Sequence, residues 1–366
     1  MNVSNYVVIV SAQMLPLYLP IKYFKPERIT LLASSQMKQN ALSLRKTINT
    51  MLGYSIANIQ IIDLSDHFEY GKLYEEMIDI TASVGDSLDS TVVNITGGTK
   101  PMSLACFEAF NAANANCIYY ENNRVQYLNR SGQIDDLSEM KMSPKEYFNL
   151  YGFSYLEKDK GYGLGENGKH FIEELLINKI NYQSKLGELY KILSGLREDQ
   201  LIFSLANHNQ YNRLKQIIDL LIQFEVLQVG ATSLEFKFPN LKYKKFAFGG
   251  WLEQYLYNFL KDRGIAAVMN VEITKEAKNE LDVVFIHNNN LYVIECKSQL
   301  NDKKQNDDLY KLNAQHTNWG SFAKMIYVSF KEIDQATRMR ASDYKIDLID
   351  GNDISRLSEY FNKITK

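Results

Sequence analysis

Five short, predominantly apolar runs divide the first 120 residues of this chain: Tyr6 to Val10, Ile29 to Ala33, Ile59 to Leu64, Thr91 to Ile95 and Cys117 to Tyr120. A strand buried on both faces reads as a near-continuous apolar run, whereas a strand with one wet face alternates. Between several of these runs lie longer segments with helical spacing, such as Gln36 to Leu52 and Lys72 to Val84. Strand, helix, strand in this order predicts a doubly wound, mostly parallel α/β sheet. Such folds bind ligands outside the carboxyl ends of their strands. Arg124 to Asn129 adds a short extra strand, returned by a turn at Asn122 and Asn123.

Three loops fall at those carboxyl ends: SAQMLP (Ser11 to Pro16), ASSQM (Ala33 to Met37) and NITGGTK within VVNITGGTKPMS (Val92 to Ser103). In the last, Thr96, Gly97, Gly98, Thr99 and Lys100 lie between a strand and a helix whose first turn carries Pro101. Proline suits the first helical position, and glycines let a ligand approach backbone N–H groups, so hydroxyls, amides and an ammonium can gather around phosphate. A tight Gly-Gly turn with a solvated lysine accounts for the same residues. The loop is neither a Walker A sequence nor a G-x-G-x-x-G fingerprint.

The last third carries LDVVFIHNNNLYVIECKS (Leu281 to Ser298). Val283 to Ile286 and Leu291 to Ile294 are strand-type runs around turn residues His287 to Asn290, which predicts a hairpin. Asp282 then starts one strand and Glu295 ends its partner, at the same end of the hairpin. Period 2 puts Glu295 and Lys297 on one face, with Cys296 between them turned to apolar company. Two carboxylates and an ammonium therefore converge. Carboxylate oxygens suit Mg²⁺ or Mn²⁺, which keep positions open for water and a phosphate. A lone Glu-x-Lys is commonly a surface pair. Here it follows an amphipathic helix, Gly249 to Gly264, with Glu253 near its start, and precedes an Asp- and Lys-rich turn, a further helical segment around Tyr310 to Gln315, and an apolar strand from Lys324 to Phe330.

Between these parts, GYGLGENG (Gly161 to Gly168) reads as a linker. Helical segments follow around His170 to Lys179, Lys185 to Leu193 and Asn212 to Phe224, then two short strands, Val226 to Val229 and Leu234 to Phe238. This is a winged-helix-like connector. Its last helix is more apolar than a DNA recognition helix should be, which favours a structural or dimerising role. KFPNLKYKK (Lys237 to Lys245) is either a solvated linker or a contact for an anionic substrate. Expected domains are 1–150, 151–245 and 246–366.

At 366 residues with 45% hydrophobic content, the chain can bury more than one core. A net charge of −2 leaves nucleic-acid contact to local patches. Cys106, Cys117 and Cys296 include no C-x-x-C pair, and the five histidines form no H-E-x-x-H group, which argues against a disulfide framework or a zinc site. No apolar run is long enough for a membrane span, and MNVSNYVVIVSAQ lacks the pattern of a signal peptide. The expected location is cytoplasmic.

The order of helix acid, Asp, Glu-x-Lys, helix and strand from about Phe248 onward resembles the PD-(D/E)XK nucleases. That resemblance implies Glu253 as the helix acid, Asp282 and Glu295 as metal ligands with the backbone carbonyl of Cys296, and Lys297 as the catalytic lysine. Glu280 is an extra or substitute ligand. The strand-end loops with NITGGTK resemble the CARF domain, the Rossmann-like sensor of cyclic oligoadenylates in type III CRISPR systems. Together the chain resembles the two-domain effector nucleases of that defence. By resemblance Ser11, Gln13, Thr96, Gly97, Gly98, Thr99, Lys100 and Met102 line the ligand pocket, while Leu17 departs from the polar residue expected at its edge. The family implies a homodimer around one cyclic nucleotide, of which cyclic tetra-adenylate is expected, and a non-specific, metal-dependent (Mn²⁺ or Mg²⁺) attack on DNA or RNA. The rival readings are a CARF-type transcriptional regulator with a degenerate nuclease domain and an ungated restriction-type endonuclease.

Overall fold

A computed structural model of the protein describes residues 2–65, 69–84, 88–129, 132–158, 161–298, 305–351 and 357–364. The first domain alternates as predicted: β1 (Asn5–Ile9), α1 (Leu15–Phe24), β2 (Arg28–Ala33), α2 (Lys38–Leu52), β3 (Ile59–Asp63), α3 (Tyr70–Val84), β4 (Thr91–Asn94), α4 (Lys100–Ala112) and β5 (Asn116–Glu121). It ends with β6 (Arg124–Tyr127), β7 (Ile134–Asp136) and α5 (Pro144–Leu150). The sheet order is β3-β2-β1-β4-β5-β6-β7. The first five strands pair in parallel and the last two antiparallel. The order reverses between β1 and β4, which makes the ends of those strands the topological switch point.

The connector begins differently from expectation. β8 (Ser154–Glu157) extends the C-terminal sheet by pairing antiparallel with β12, so residues just past 151 are part of that sheet and not of the helical connector. Four residues on a sheet edge, three of them exposed, carry little periodic signal, and the partner strand lies far along the chain. There follow α6 (Gly165–Ile177), α7 (Lys179–Leu193), β9 (Ile202–Ser204), α8 (His208–Gln223), β10 (Gln228–Val229), β11 (Glu235–Lys237) and α9 (Leu241–Lys245). β9, absent from the sequence reading, completes a three-stranded antiparallel wing in the order β10-β11-β9. α8 buries Leu214, Ile217, Ile218, Leu220 and Leu221 in the connector core. Lys244 of the basic segment is buried, its ammonium donating to the carbonyls of Arg197, Glu198 and Gln200, so this lysine supports the fold.

The C-terminal domain comprises α10 (Trp251–Lys261), β12 (Ala267–Thr274), β13 (Lys278–His287), β14 (Asn290–Lys297), α11 (Gln305–His316), β15 (Ala323–Ser329), α12 (Gln335–Asp343), β16 (Ile346–Ile349) and α13 (Leu357–Ile364). Its sheet runs β16-β15-β14-β13-β12-β8. The Asp- and Lys-rich turn before α11 lies largely outside the described residues.

This second sheet is the middle layer of the molecule. One face shares a continuous core with the first domain, joining Val8, Tyr147 and Phe148 to Val293, Trp319 and Tyr327. Tyr147 donates its hydroxyl to the Trp319 carbonyl at 2.9 Å, and the Phe148 and Trp319 rings meet edge to face. The other face packs on α10 and the connector. The β13–β14 turn also docks on the first domain: Asn289 donates to Asn123 Oδ1 at 3.0 Å and accepts from the Met142 N–H at 3.2 Å. Among the described residues no helix is long and apolar enough to cross a membrane.

Candidate functional sites

The predicted hairpin forms, and its open end builds a cleft of about 460 Å³ lined by Glu253, Asp282, Cys296 and Lys297 together with Tyr162 and Lys245. The last bonded pair at this end is Val283 with Ile294. Continuing that register would set Asp282 opposite Glu295, but the ladder stops and the strands part. The Asp282 carboxylate takes the place of a ladder carbonyl, accepting from the Cys296 N–H at 2.7 Å. β14 is carried past the fork by β15, which pairs Glu295 with Tyr327 and Lys297 with Ser329. Lys297 donates to Glu295 Oε1 at 2.6 Å and lies 3.8 Å from Asp308. Glu253, in the first turn of α10, accepts from the Tyr162 hydroxyl at 2.8 Å. Glu280 reaches the cleft rim but is ion-paired with Lys158, which also holds Glu272 at 2.9 Å.

Burial, with the charges of Glu295 and Glu253, raises the Asp282 carboxyl well above the usual range, against the Cys296 N–H and Lys297. Glu253 is also raised, first by burial and then by Glu295, opposed by its Tyr162 hydrogen bond. Burial disfavours the Lys297 ammonium, but Glu295, Asp308 and Asp282 outweigh it and hold the group charged, above its ordinary value. Among the described residues, three carboxylates thus gather around Lys297, with Lys245 also lining the cleft. Such an excess of negative charge in a partly buried cleft is matched by a cation. The donors are oxygens, which selects a hard divalent ion. The Cys296 side chain is packed in the core and its thiol is raised, by burial first and by the acidic groups next, so only its backbone carbonyl suits a metal. Tyr327, buried opposite Glu295, has a hydroxyl with no hydrogen-bond partner among the described residues, as expected of a group facing bound solvent or an ion shell. Among the described residues no three acidic, His or Cys side chains are already gathered tightly enough to hold a metal ion by themselves. The donor set fits a hard divalent cation.

A second cleft, about 500 Å³, lies at the switch point of the first sheet, lined by Ser11, Ser34, Gln36, Gly98, Thr99 and Met102 among others. Of the residues predicted here, Ser11, Gly98, Thr99 and Met102 reach it. Gln13, Thr96, Gly97 and Lys100 do not line it, while Ser34, Gln36 and Met37 do, from the ASSQM loop. Gly97 serves the packing of the loop instead, since a Cβ there would strike the Ile9 carbonyl. Gly98, with φ of 82°, takes the left-handed turn that starts α4 beside Ile9. Thr96 donates to Asn94 Oδ1 at 2.6 Å and accepts from the Tyr120 N–H at 2.8 Å, so its hydroxyl is committed to the fold. Leu17 is buried in the core.

The fold and these clefts define a Rossmann-like sensor domain joined to an endonuclease domain. Residues 6–147 match the family model of the Card1 CARF domain and residues 241–366 that of the Card1-like endonuclease domain. The chain thus carries, one after the other, a region similar to each of these two domain families. An endonuclease domain implies a divalent metal. No curated protein sequence matches the chain. Among solved structures it is similar to protein VC1899 from Vibrio cholerae, at 19% identity over 99% of this chain and 98% of that one, with a TM-score of 0.87. It is similar to Can2 from Sulfobacillus thermosulfidooxidans in complex with cyclic tetra-adenylate, at 25% identity over 98% and 96%, with a TM-score of 0.79. A type III CRISPR defence DNA nuclease activated by cyclic oligoadenylate shares the fold at 17% identity and a TM-score of 0.58, over 91% of this chain and 46% of that one.

Proposed function

We propose that this protein is an endonuclease switched on by cyclic tetra-adenylate, cutting DNA, RNA or both without sequence preference in cytoplasmic type III CRISPR antiviral defence. The observation that carries the reading is the pairing in one chain of a switch-point cleft in a CARF-type sheet with a cleft where Glu253, Asp282 and Lys297 meet, Glu295 held to the lysine. The likeness to Can2 in complex with cyclic tetra-adenylate supports the choice of activator.

Within a PD-(D/E)XK reading of the second cleft, Asp282, Glu295 and the Cys296 carbonyl would hold Mg²⁺ or Mn²⁺, with Glu253 beside them. When bound, the ion polarises the scissile phosphate and lowers the pKa of water. The chain's own residues do the rest. The Cys296 N–H fixes one oxygen of the Asp282 carboxylate. Lys297, kept protonated by Glu295, presents a positive charge where negative charge grows on the phosphate. Lys245 on the rim offers a charge to the substrate backbone.

A ring-shaped ligand of repeated units fits a two-fold axis, so the active form is a homodimer, and exposed Leu104 on α4 is an apolar position that a partner can cover. Incubating the protein with activator, Mn²⁺ and labelled DNA or RNA tests the function. Glu295→Gln and Asp282→Asn should each abolish cleavage while the fold persists, since a carboxamide keeps the shape and loses the charge. Full activity in both would remove these residues from the chemistry, and light scattering that finds only monomer with activator would remove the dimer.

A further inference from the structure

The residues matched as endonuclease begin at 241, yet the cleft wall contains Tyr162, contributed by the chain between β8 and α6. Tyr162 is only 8% exposed, although it sits in a Gly-Tyr-Gly stretch that reads as linker. Several attachments hold it against the start of α10. Its N–H donates to Gln254 Oε1 at 2.9 Å, and its hydroxyl donates to Glu253 Oε2 at 2.8 Å. Its ring lies edge to face with Phe246, 5.9 Å between centroids. Asn270, with φ of 54° and left out of the β12–β13 pairing, also meets the hydroxyl.

The local sequence makes room for this one ring. A Cβ on Gly250 would collide with the phenol of Tyr162, so the second glycine of Phe-Gly-Gly-Trp is what lets the ring cover the first turn of α10. Gly161, with φ of 110°, lies against the Gln254 amide, where a side chain would clash. Of the three acidic residues Glu253, Asp282 and Glu295, the hydroxyl is placed on the one that, among the described residues, takes no hydrogen bond from Lys297 or a backbone N–H: Glu295 is held by Lys297, and Asp282 by the Cys296 N–H.

We infer that Tyr162 is a positioning residue for the endonuclease: its hydroxyl orients the Glu253 carboxylate toward the metal site, so that part of the catalytic cleft is set by the segment leading from the sensor to the connector. The inference rests on the metal-dependent reading of the cleft. A carboxylate tied at one oxygen has lost side-chain freedom before the ion arrives and presents the other oxygen in one direction, which lowers the entropic cost of binding. Without the hydroxyl, Glu253 must be ordered by the ion itself.

The test is Mn²⁺ binding to the full-length protein, by calorimetry or by loss of the free-ion paramagnetic resonance signal, for wild type, Tyr162→Phe, Glu253→Gln and the double variant. Tyr162→Phe keeps the ring and Gly250 packing, and its thermal midpoint confirms folding. The expected result is a Mn²⁺ dissociation constant raised about tenfold in Tyr162→Phe, with the cleavage rate largely restored at saturating Mn²⁺. In the Glu253→Gln background the same change should have no further effect, because the hydroxyl acts through that carboxylate. Wild-type affinity in Tyr162→Phe overturns the inference, and so does an equal loss in both backgrounds, which would make the hydroxyl a general support of the fold. Wild-type protein that binds no Mn²⁺ overturns the metal reading itself, and this inference with it.

Discussion

Asn94 is fully buried and makes four hydrogen bonds. Its amide donates to the Tyr6 hydroxyl and the Pro16 carbonyl, each at 2.9 Å, and its Oδ1 accepts from the N–H and hydroxyl of Thr96. The Pro16 contact has a specific cause. Pro20, inside α1, has no N–H to return to Pro16, and Asn94 supplies the missing donor. The polar residues of NITGGTK therefore divide into Asn94 and Thr96, which secure the loop, and Gly98 and Thr99, which face the cleft. The sequence alone could not make that division, because it depends on a proline on a helix far upstream. Asp282, Glu295 and Lys297 were legible, since strand period brings them together, and Glu253 only through the resemblance to the PD-(D/E)XK nucleases; Tyr162 was not, because a Gly-rich stretch reads as linker. Asn94→Ala strands several buried groups and should cost on the order of 3 kcal/mol. Denaturant unfolding measures it, and a loss below about 0.5 kcal/mol would contradict this account of the loop.

Element by element, the parallel strands and the site hairpin followed from apolar runs. α1 was hidden by Pro16 and Pro20, and β8 and β9 are too short to show a period. β12 alternates along its length, and Asn270, in the left-handed region, drops out of its pairing with β13 next to the site without shifting the register. α5 is fixed at its start by a capping box between Ser143 and Glu146, and Glu146 also accepts from Lys22 at 2.7 Å and Tyr18 at 2.8 Å on α1. Burial alone would raise this carboxyl, yet the hydrogen bonds from Lys22, Ser143 and Tyr18 and the Lys22 charge leave it below its ordinary value. A lowered folded pKa contributes stability that is present above the unfolded value, about 4.3, and is lost as pH falls through the folded one. Glu146→Gln should therefore destabilise the protein by about 1–3 kcal/mol near neutral pH. The gap from wild type should narrow below about pH 4. Chemical unfolding across pH 3 to 7 checks it, and a gap that does not change with pH would contradict the assignment.

At the scale of the molecule, the endonuclease sheet lies between the sensor and the connector, with core on both faces. The apolar runs of β13 and β14 indicate burial on both sides but not which domain covers which face, so the shared core was not legible. Its consequence is mechanical. The hairpin that ends in Asp282 and Glu295 is anchored at its far turn to Asn123 and Met142 of the sensor, and α5 is built into the same core. A ligand shifts an equilibrium only through its differential affinity for two states, and here both clefts belong to one packed body that can carry such a difference. The central claim is that filling the first cleft turns on the second. Titrating cyclic tetra-adenylate against the initial rate of nucleic-acid cleavage, at fixed Mn²⁺, tests it directly: the rate should be near background without activator and rise to saturation with it, and equal cleavage at every activator concentration would contradict the account.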